Sequence, residues 1–130
     1  MINLRSFSLA VAFSFCLLLS CAAVFAADPA ISEFLADNRD GLQDSDSEYS
    51  DWIEIYNPND QPFDLAGWGL TDDPGNLLKW TFSSTNLAPR AYLVVFASGK
   101  DRRTPGAELH SNFQRSEEHT SELQSPCNLV

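Results

Sequence analysis

The alternation of apolar and polar side chains in residues 51–70 is the strongest structural signal in the chain. Ile53 and Ile55 fall on one face of an extended segment and Trp52 falls on the other, as side chains do in a strand. A cluster of turn-forming residues follows, and the alternation then resumes toward Trp68, whose flanking glycines indicate a close backbone approach around one large buried ring. The stretch therefore predicts a strand, a turn and a second strand.

Short strands separated by turns are also predicted for the rest of the chain. Residues 31–37 alternate weakly, and residues 92–97 form the most apolar and β-branched run, which is typical of a central strand. Leu78, Trp80 and Phe82 are spaced by two, so we expect them to share one side of a strand. No segment longer than a few residues has helical periodicity. The pattern predicts an all-β fold, an antiparallel β-sandwich.

The inward positions of these strands define an expected core. Trp52 and Ile53 compete for the inward position of the first long strand, because they point to opposite faces. The apolar side chains expected to supply most of the buried area are Trp52, Ile53, Ile55, Leu65, Trp68, Leu70, Trp80, Phe82, Leu93, Val95 and Phe96.

The first 26 residues are typical of a secretory signal peptide. A short basic start precedes an apolar run at residues 7–20, and small residues precede an expected cleavage after Ala26. An alternative is a lipoprotein signal, because residues 18–21 resemble a bacterial lipobox in which Cys21 is lipidated and anchors the mature chain. Both alternatives predict export to the cell surface or the extracellular space, with no membrane span in the mature chain.

The other end of the chain has an unusual sequence. All eleven residues from Arg115 to Ser125 match the first-frame translation of a common short-read sequencing adapter. We therefore expect residues 115–130 to be an artefactual tail, and the alternative is a natural polar tail. The predicted organisation is a signal peptide at 1–26, a domain at 27–114 and this tail.

Charge narrows the classes of partner. The net charge is −10, and it becomes −9 for residues 27–114, because the two ends carry two arginines and three glutamates. Such an acidic surface disfavours nucleic acid and anionic lipid, and it is compatible with divalent cations or basic partners. All three cysteines lie outside the domain, so we expect no disulfide framework.

The domain offers little catalytic chemistry. It contains one histidine, His110, and no cysteine, so a Cys-His pair is excluded and a Ser-His-Asp triad would need His110. We therefore predict a non-enzymatic domain without a cofactor. Lys100, Arg102 and Arg103 are expected to form a solvated basic loop.

A polar segment, residues 37–51, is here called the acidic loop. Its carboxylates are hard oxygen ligands of the kind calcium takes. Counted from Asp44, however, Tyr49 stands where an EF-hand has glycine and Ile55 stands where it has glutamate. The alternatives are a solvated loop and a weak calcium site. The candidate metal ligands are Asp40, Asp44, Asp46, Glu48 and Asp51.

Four sequence blocks in this order resemble the lamin-tail domain family in its bacterial, secreted form. The blocks are residues 50–58, residues 64–72, residues 80–82, and residues 87–89 with 92–96. The resemblance implies an immunoglobulin-like β-sandwich of the kind found beside exported catalytic domains in large surface proteins. Arg90-Ala91 stand where the family usually has a turn glycine. The family's closing strands would follow Phe113, so the resemblance implies an incomplete sandwich with an unpaired sheet edge.

The predicted function is therefore an exported, non-enzymatic lamin-tail-like module that serves adhesion or scaffolding within a larger secreted or surface protein. Its expected partner is a protein or a cell-surface component. One alternative is an extracellular module stabilised by calcium. Another is an accessory domain of an exported hydrolase or kinase-like enzyme whose catalytic part lies beyond residue 114.

Overall fold

Strands provide the regular secondary structure of the computed structural model, which describes residues 26–114 and 128–130. The predicted signal peptide, the anchor at Cys21 and the adapter-like residues 115–125 lie outside the described residues, so these assignments stay predictions. Within the described residues the strands are β1 (Ala30–Leu35), β2 (Asp51–Tyr56), β3 (Phe63–Asp64), β4 (Gly69–Thr71), β5 (Trp80–Thr81), β6 (Asn86–Leu87), β7 (Tyr92–Ala97), β8 (Leu109–His110) and β9 (Asn128–Leu129).

The largest sheet has the strand order β1-β2-β7-β8. β2 pairs antiparallel with both neighbours, and Ile53 lies opposite Val95 of β7. The register of β1 shifts between Ile31 and Glu33, which is a bulge at the edge of the sheet. β8 runs parallel to β7, because residues 98–108 carry the chain back before it re-enters the sheet. The two long predicted strands are therefore confirmed, and the structure places them side by side at the centre of the sheet.

Two smaller sheets complete the all-β, immunoglobulin-like sandwich. One pairs β3 with β6, and the other has the order β5-β4-β9. Leu70 of β4 lies opposite Leu129 of β9, and Gly69 exchanges backbone hydrogen bonds with Val130. Residues 128–130, which the sequence assigned to a tail, therefore pair with β4 and cover one edge of this smaller sheet.

The buried ring at the centre of the sandwich is Trp80, not Trp68. Trp80 is fully buried, whereas Trp68 is half-buried and meets Phe63 edge to face, with ring centroids 5.4 Å apart. The close backbone approach expected beside Trp68 is confirmed at Gly69, where an added Cβ would lie 2.6 Å from the carbonyl oxygen of Leu77. Glycine is therefore required at that position.

Most of the expected core is confirmed, with a few corrections. Ile53 takes the inward position of β2, and Trp52 lies half-buried on the opposite side. Leu78 was expected beside Trp80, but it is 61% exposed because the chain is still turning there and β5 begins only at Trp80. Leu93 is half-buried. The buried apolar residues that the alternation missed are Leu87, Ala97, Leu109 and Phe113.

Candidate functional site

The acidic loop is organised around the side chain of Lys100, which follows β7. Its Nζ atom lies 2.5 Å from Asp44 Oδ2, 2.6 Å from Asp46 Oδ2 and 2.8 Å from Glu48 Oε2. Arg102 adds a second cation, 2.7 Å from Asp46. The sequence predicted a solvated basic loop here, but in the structure these cations lie against the acidic loop. We call Lys100 and its three carboxylates the Lys100 cluster.

Asp44 is the buried member of this cluster, and its side chain has no solvent exposure. Its Oδ1 accepts hydrogen bonds from the backbone N–H groups of Asp46 and Glu48, both at 3.0 Å. Burial alone would raise the pKa of Asp44, but the hydrogen bonds from Lys100 and these amides lower it from 3.8 to about 2. The carboxyl group is therefore ionised at every ordinary pH.

The same contacts shift the pKa values of Lys100 and Asp46. Burial lowers the pKa of Lys100, but its hydrogen bonds to Asp44, Asp46 and Glu48 outweigh that effect and raise it above the ordinary value. Hydrogen bonds from Lys100 and Arg102 lower the pKa of Asp46. Asp44, Asp46 and Lys100 are thus held in their charged forms across the neutral range.

The structure brings together three of the five candidate metal ligands. Asp44, Asp46 and Glu48 each offer an oxygen, and these oxygens lie within 4.8 Å of one another. Asp40 is exposed. Asp51 instead accepts a hydrogen bond from the backbone N–H of Asn38 at 3.1 Å. Three hard oxygens suit calcium, but the ammonium group of Lys100 contacts all three, so a divalent ion would have to displace it.

His110 connects the acidic loop to the main sheet. Its ring is fully buried, with Nδ1 2.8 Å from Ser98 Oγ and Nε2 2.9 Å from Glu108 Oε1. Glu108 also accepts hydrogen bonds from the backbone N–H and the hydroxyl of Ser45. Burial opposes ionisation of Glu108, but these bonds prevail and lower its pKa. An ionised Glu108 only accepts, so Nε2 of His110 donates the hydrogen bond to it.

The Ser98–His110–Glu108 chain has the residue types of a hydrolytic triad, but its arrangement differs. In a triad the serine contacts Nε2 and the acid contacts Nδ1, whereas here the two nitrogens are exchanged. The buried ring also stacks on Phe96, with centroids 5.3 Å apart. This arrangement satisfies both nitrogens of a buried histidine and fixes the loop to β7 and β8.

The outer face is the side of the β1-β2-β7-β8 sheet opposite the core. One row of this face aligns Tyr56 of β2 with Tyr92 of β7, whose rings stack with centroids 4.7 Å apart. Tyr92 is 59% exposed. In the adjacent row, Glu33 of β1 lies opposite Glu54 of β2. The outer face therefore presents two aromatic rings beside two carboxylates.

Sequence reasoning did not find this patch or the central role of Lys100. The alternation did place Glu54 and Tyr56 on the side opposite Ile53 and Ile55, but it gave no register between strands. Similarly, Lys100 and Asp44 are 56 residues apart, and only the packing of two loops joins them.

Comparison with known proteins identifies the fold family. The model of the Lamin Tail Domain family matches residues 26–126. Searches of curated proteins and of solved structures found no match. Among the described residues, no helix is long and apolar enough to cross a membrane.

Proposed function

Because the chain belongs to the lamin tail domain family, a family of non-enzymatic immunoglobulin-like domains that are often protein-interaction modules, we propose that it is an interaction unit of a larger exported protein, with a role in adhesion or scaffolding. Its partner is another protein or a cell-surface component. The signal-like residues 1–26 support export, and the net charge of −10 disfavours nucleic acid as a partner.

The observation that carries this proposal is the exposed tyrosine pair on the outer face. Tyr92 is 59% exposed although it lies in β7, a central strand of the sheet. Aromatic side chains supply large contact areas and are enriched in protein interfaces. A stacked pair on a rigid sheet therefore offers a preformed contact surface. Ser98 and the buried His110, by contrast, are committed to a hydrogen-bond network inside the domain.

Site-specific photo-crosslinking tests the proposal. A photo-reactive amino acid replaces Tyr92 in the full chain, and a matched variant carries it at Leu78, which is 61% exposed in the turn before β5. On the surface of the producing cell, we expect the probe at position 92 to label a defined exported protein. Excess native chain should compete for this labelling, whereas excess Tyr56→Ala, Tyr92→Ala chain should not.

The control separates interaction from chance contact. Equal labelling from positions 92 and 78, insensitive to either competitor, would show that the tyrosine pair is not an interaction surface. A melting curve of each variant checks that the fold is intact. Tyr92 and Leu78 are exposed, so the probe at either position should leave it so.

A calcium-stabilised module is the second candidate function. The geometry of Asp44, Asp46 and Glu48 favours it, since their oxygens converge within 4.8 Å. With Lys100 among these oxygens, we expect calcium to bind the native chain no more tightly than about 10⁻⁴ to 10⁻³ M. Stabilisation that saturates at micromolar calcium, and that disappears in the Asp44→Ala, Asp46→Ala chain, would instead establish a dedicated site.

A further inference from the structure

We propose that the outer face binds an arginine side chain of the partner protein, with the guanidinium group between Glu33 and Glu54 and against the tyrosine pair. The inference rests on the interaction function proposed above and names the chemistry of the partner. Glu33 and Glu54 are cross-strand neighbours, and Tyr56 follows Glu54 by two residues on the same side of β2. The four side chains therefore form one continuous patch.

The first argument is the distribution of positive charge. Every lysine and arginine in residues 26–114 contacts a carboxylate other than Glu33 and Glu54, and Arg90 also hydrogen-bonds the side chain of Tyr56. These pairs are Arg39–Asp37, Lys79–Asp72, Arg90–Asp60, Lys100 with its cluster, Arg102–Asp46 and Arg103–Asp101. Neither Glu33 nor Glu54 forms an ion pair within the part of the chain that the structure describes. Among the described residues, therefore, no cation neutralises Glu33 and Glu54, and the pair is open to a cation from a partner.

The second argument is the cost of the arrangement. Like charges directly opposite each other on neighbouring strands are destabilising. Glu54 receives one hydrogen bond, from the hydroxyl of Ser32 to Oε1 at 2.7 Å, which does not neutralise the pair. An arrangement whose cost local contacts offset only in part is typical of a binding surface.

The third argument is the neighbouring tyrosine pair, which selects arginine over lysine. A guanidinium group is planar, forms paired hydrogen bonds with carboxylates and stacks on aromatic faces. Tyr92 offers an exposed face, and its ring is already held by stacking on Tyr56. A lysine ammonium would meet the same carboxylates but would lose the stacking contribution.

Fluorescence anisotropy of a labelled peptide tests the inference. The probe is a short glycine-serine peptide with two arginines, compared with the same peptide carrying lysines or glutamines, at low salt. We expect the full native chain to bind the arginine peptide several-fold more tightly than the lysine peptide. Glu33→Gln should weaken binding about fivefold, and Tyr92→Ala about threefold. Asp40→Asn, which removes one exposed carboxylate from the acidic loop, should change it less than twofold.

Stability supplies an independent readout. Glu33→Gln removes a like-charge repulsion, so its melting temperature should rise while its peptide affinity falls; a purely structural role for Glu33 would lower both. Equal weakening by Glu33→Gln and Asp40→Asn would mean that only net charge attracts the peptide, and would overturn the site. If the arginine peptide does not bind but the probe at position 92 still labels its partner, the arginine site is refuted and the interaction function stands. If the peptide does not bind and the probe labels no partner, both the arginine site and the interaction function are refuted.

Discussion

Lys100→Met is expected to destabilise the domain far more than an ordinary surface charge would. The substitution keeps the apolar stem and removes the ammonium group, so Asp44 remains buried with its backbone donors but without a counter-ion. Removing one partner of a fully buried pair costs about 3–5 kcal/mol. Because the Lys100 side chain is 19% exposed and Glu48 is 62% exposed, we expect a smaller loss, about 2 kcal/mol.

The pKa of Asp44 gives a second route to the same magnitude. A shift from 3.8 to about 2 corresponds to roughly 2 kcal/mol of stabilisation of the ionised form. Since the folded-state pKa lies below the unfolded value, this stabilisation is present above about pH 4 and is lost as the pH falls toward 2. The corresponding contribution from Lys100, whose pKa is raised, is lost only in strongly alkaline solution.

Urea unfolding of the native chain and the variant between pH 7 and pH 2 measures both effects. At pH 7 the difference in unfolding free energy should be about 2 kcal/mol, or about 10 °C in melting temperature. The two values should converge near pH 2. Lys79→Met is the matched control, because its pair with Asp72 is partly exposed and should contribute less than about 1 kcal/mol. Equal losses for the two variants, or a difference independent of pH, would refute the role given to Lys100.

Three further predictions concern the core, one turn and calcium. Trp80→Ala should cost about 3–5 kcal/mol in urea unfolding and Trp68→Ala only about 1–2, because Trp80 is fully buried and Trp68 is not; the reverse order would contradict the packing described. Arg90 has φ of 54°, so Arg90→Gly should be about 1 kcal/mol more stable than Arg90→Ala, a comparison in which both variants lack the arginine ion pair. In calorimetric titration, Lys100→Met should bind calcium more tightly than the native chain, and unchanged affinity would show that the ammonium group does not occupy the cation position.

Local periodicity accounts for the parts of the fold that were predicted correctly. Ile53, Ile55 and Val95 obey a strict alternation, and each is buried in the sheet where β2 and β7 pair. Leu109 and Phe113 are not part of a long alternating run. Leu109 lies in β8, which has only two residues, and Phe113 lies beyond it. Their burial depends on the loop that carries the chain back to β7. Burial of short strands is a tertiary property, and sequence alternation cannot report it.

The turn before β7 carries an arginine where the family usually has a glycine. Arg90 adopts the left-handed conformation that glycine would adopt more readily. Its backbone N–H donates to the carbonyl oxygen of Asn59, and its side chain pairs with Asp60 at 2.8 Å. These contacts offset part of the conformational strain. The sequence identified the unusual residue, but the compensating contacts lie 30 positions away and became visible only in the structure.

The outer face is divided into a covered end and an open end, and this division makes the two sets of variants independent. Phe96 and His110 lie on the same side of the sheet as Tyr92, yet they are 3% and 0% exposed while Tyr92 is 59% exposed. The ion pairs of Lys100 lie at the covered end and Glu33 lies at the open end. Among the described residues, Lys100 and Glu33 share no interaction partner. Effects at sites without shared contacts add. The chain carrying both Lys100→Met and Glu33→Gln should therefore keep the acid sensitivity of the first variant and the peptide affinity of the second. Strong coupling between them would show that the acidic loop reaches the binding patch.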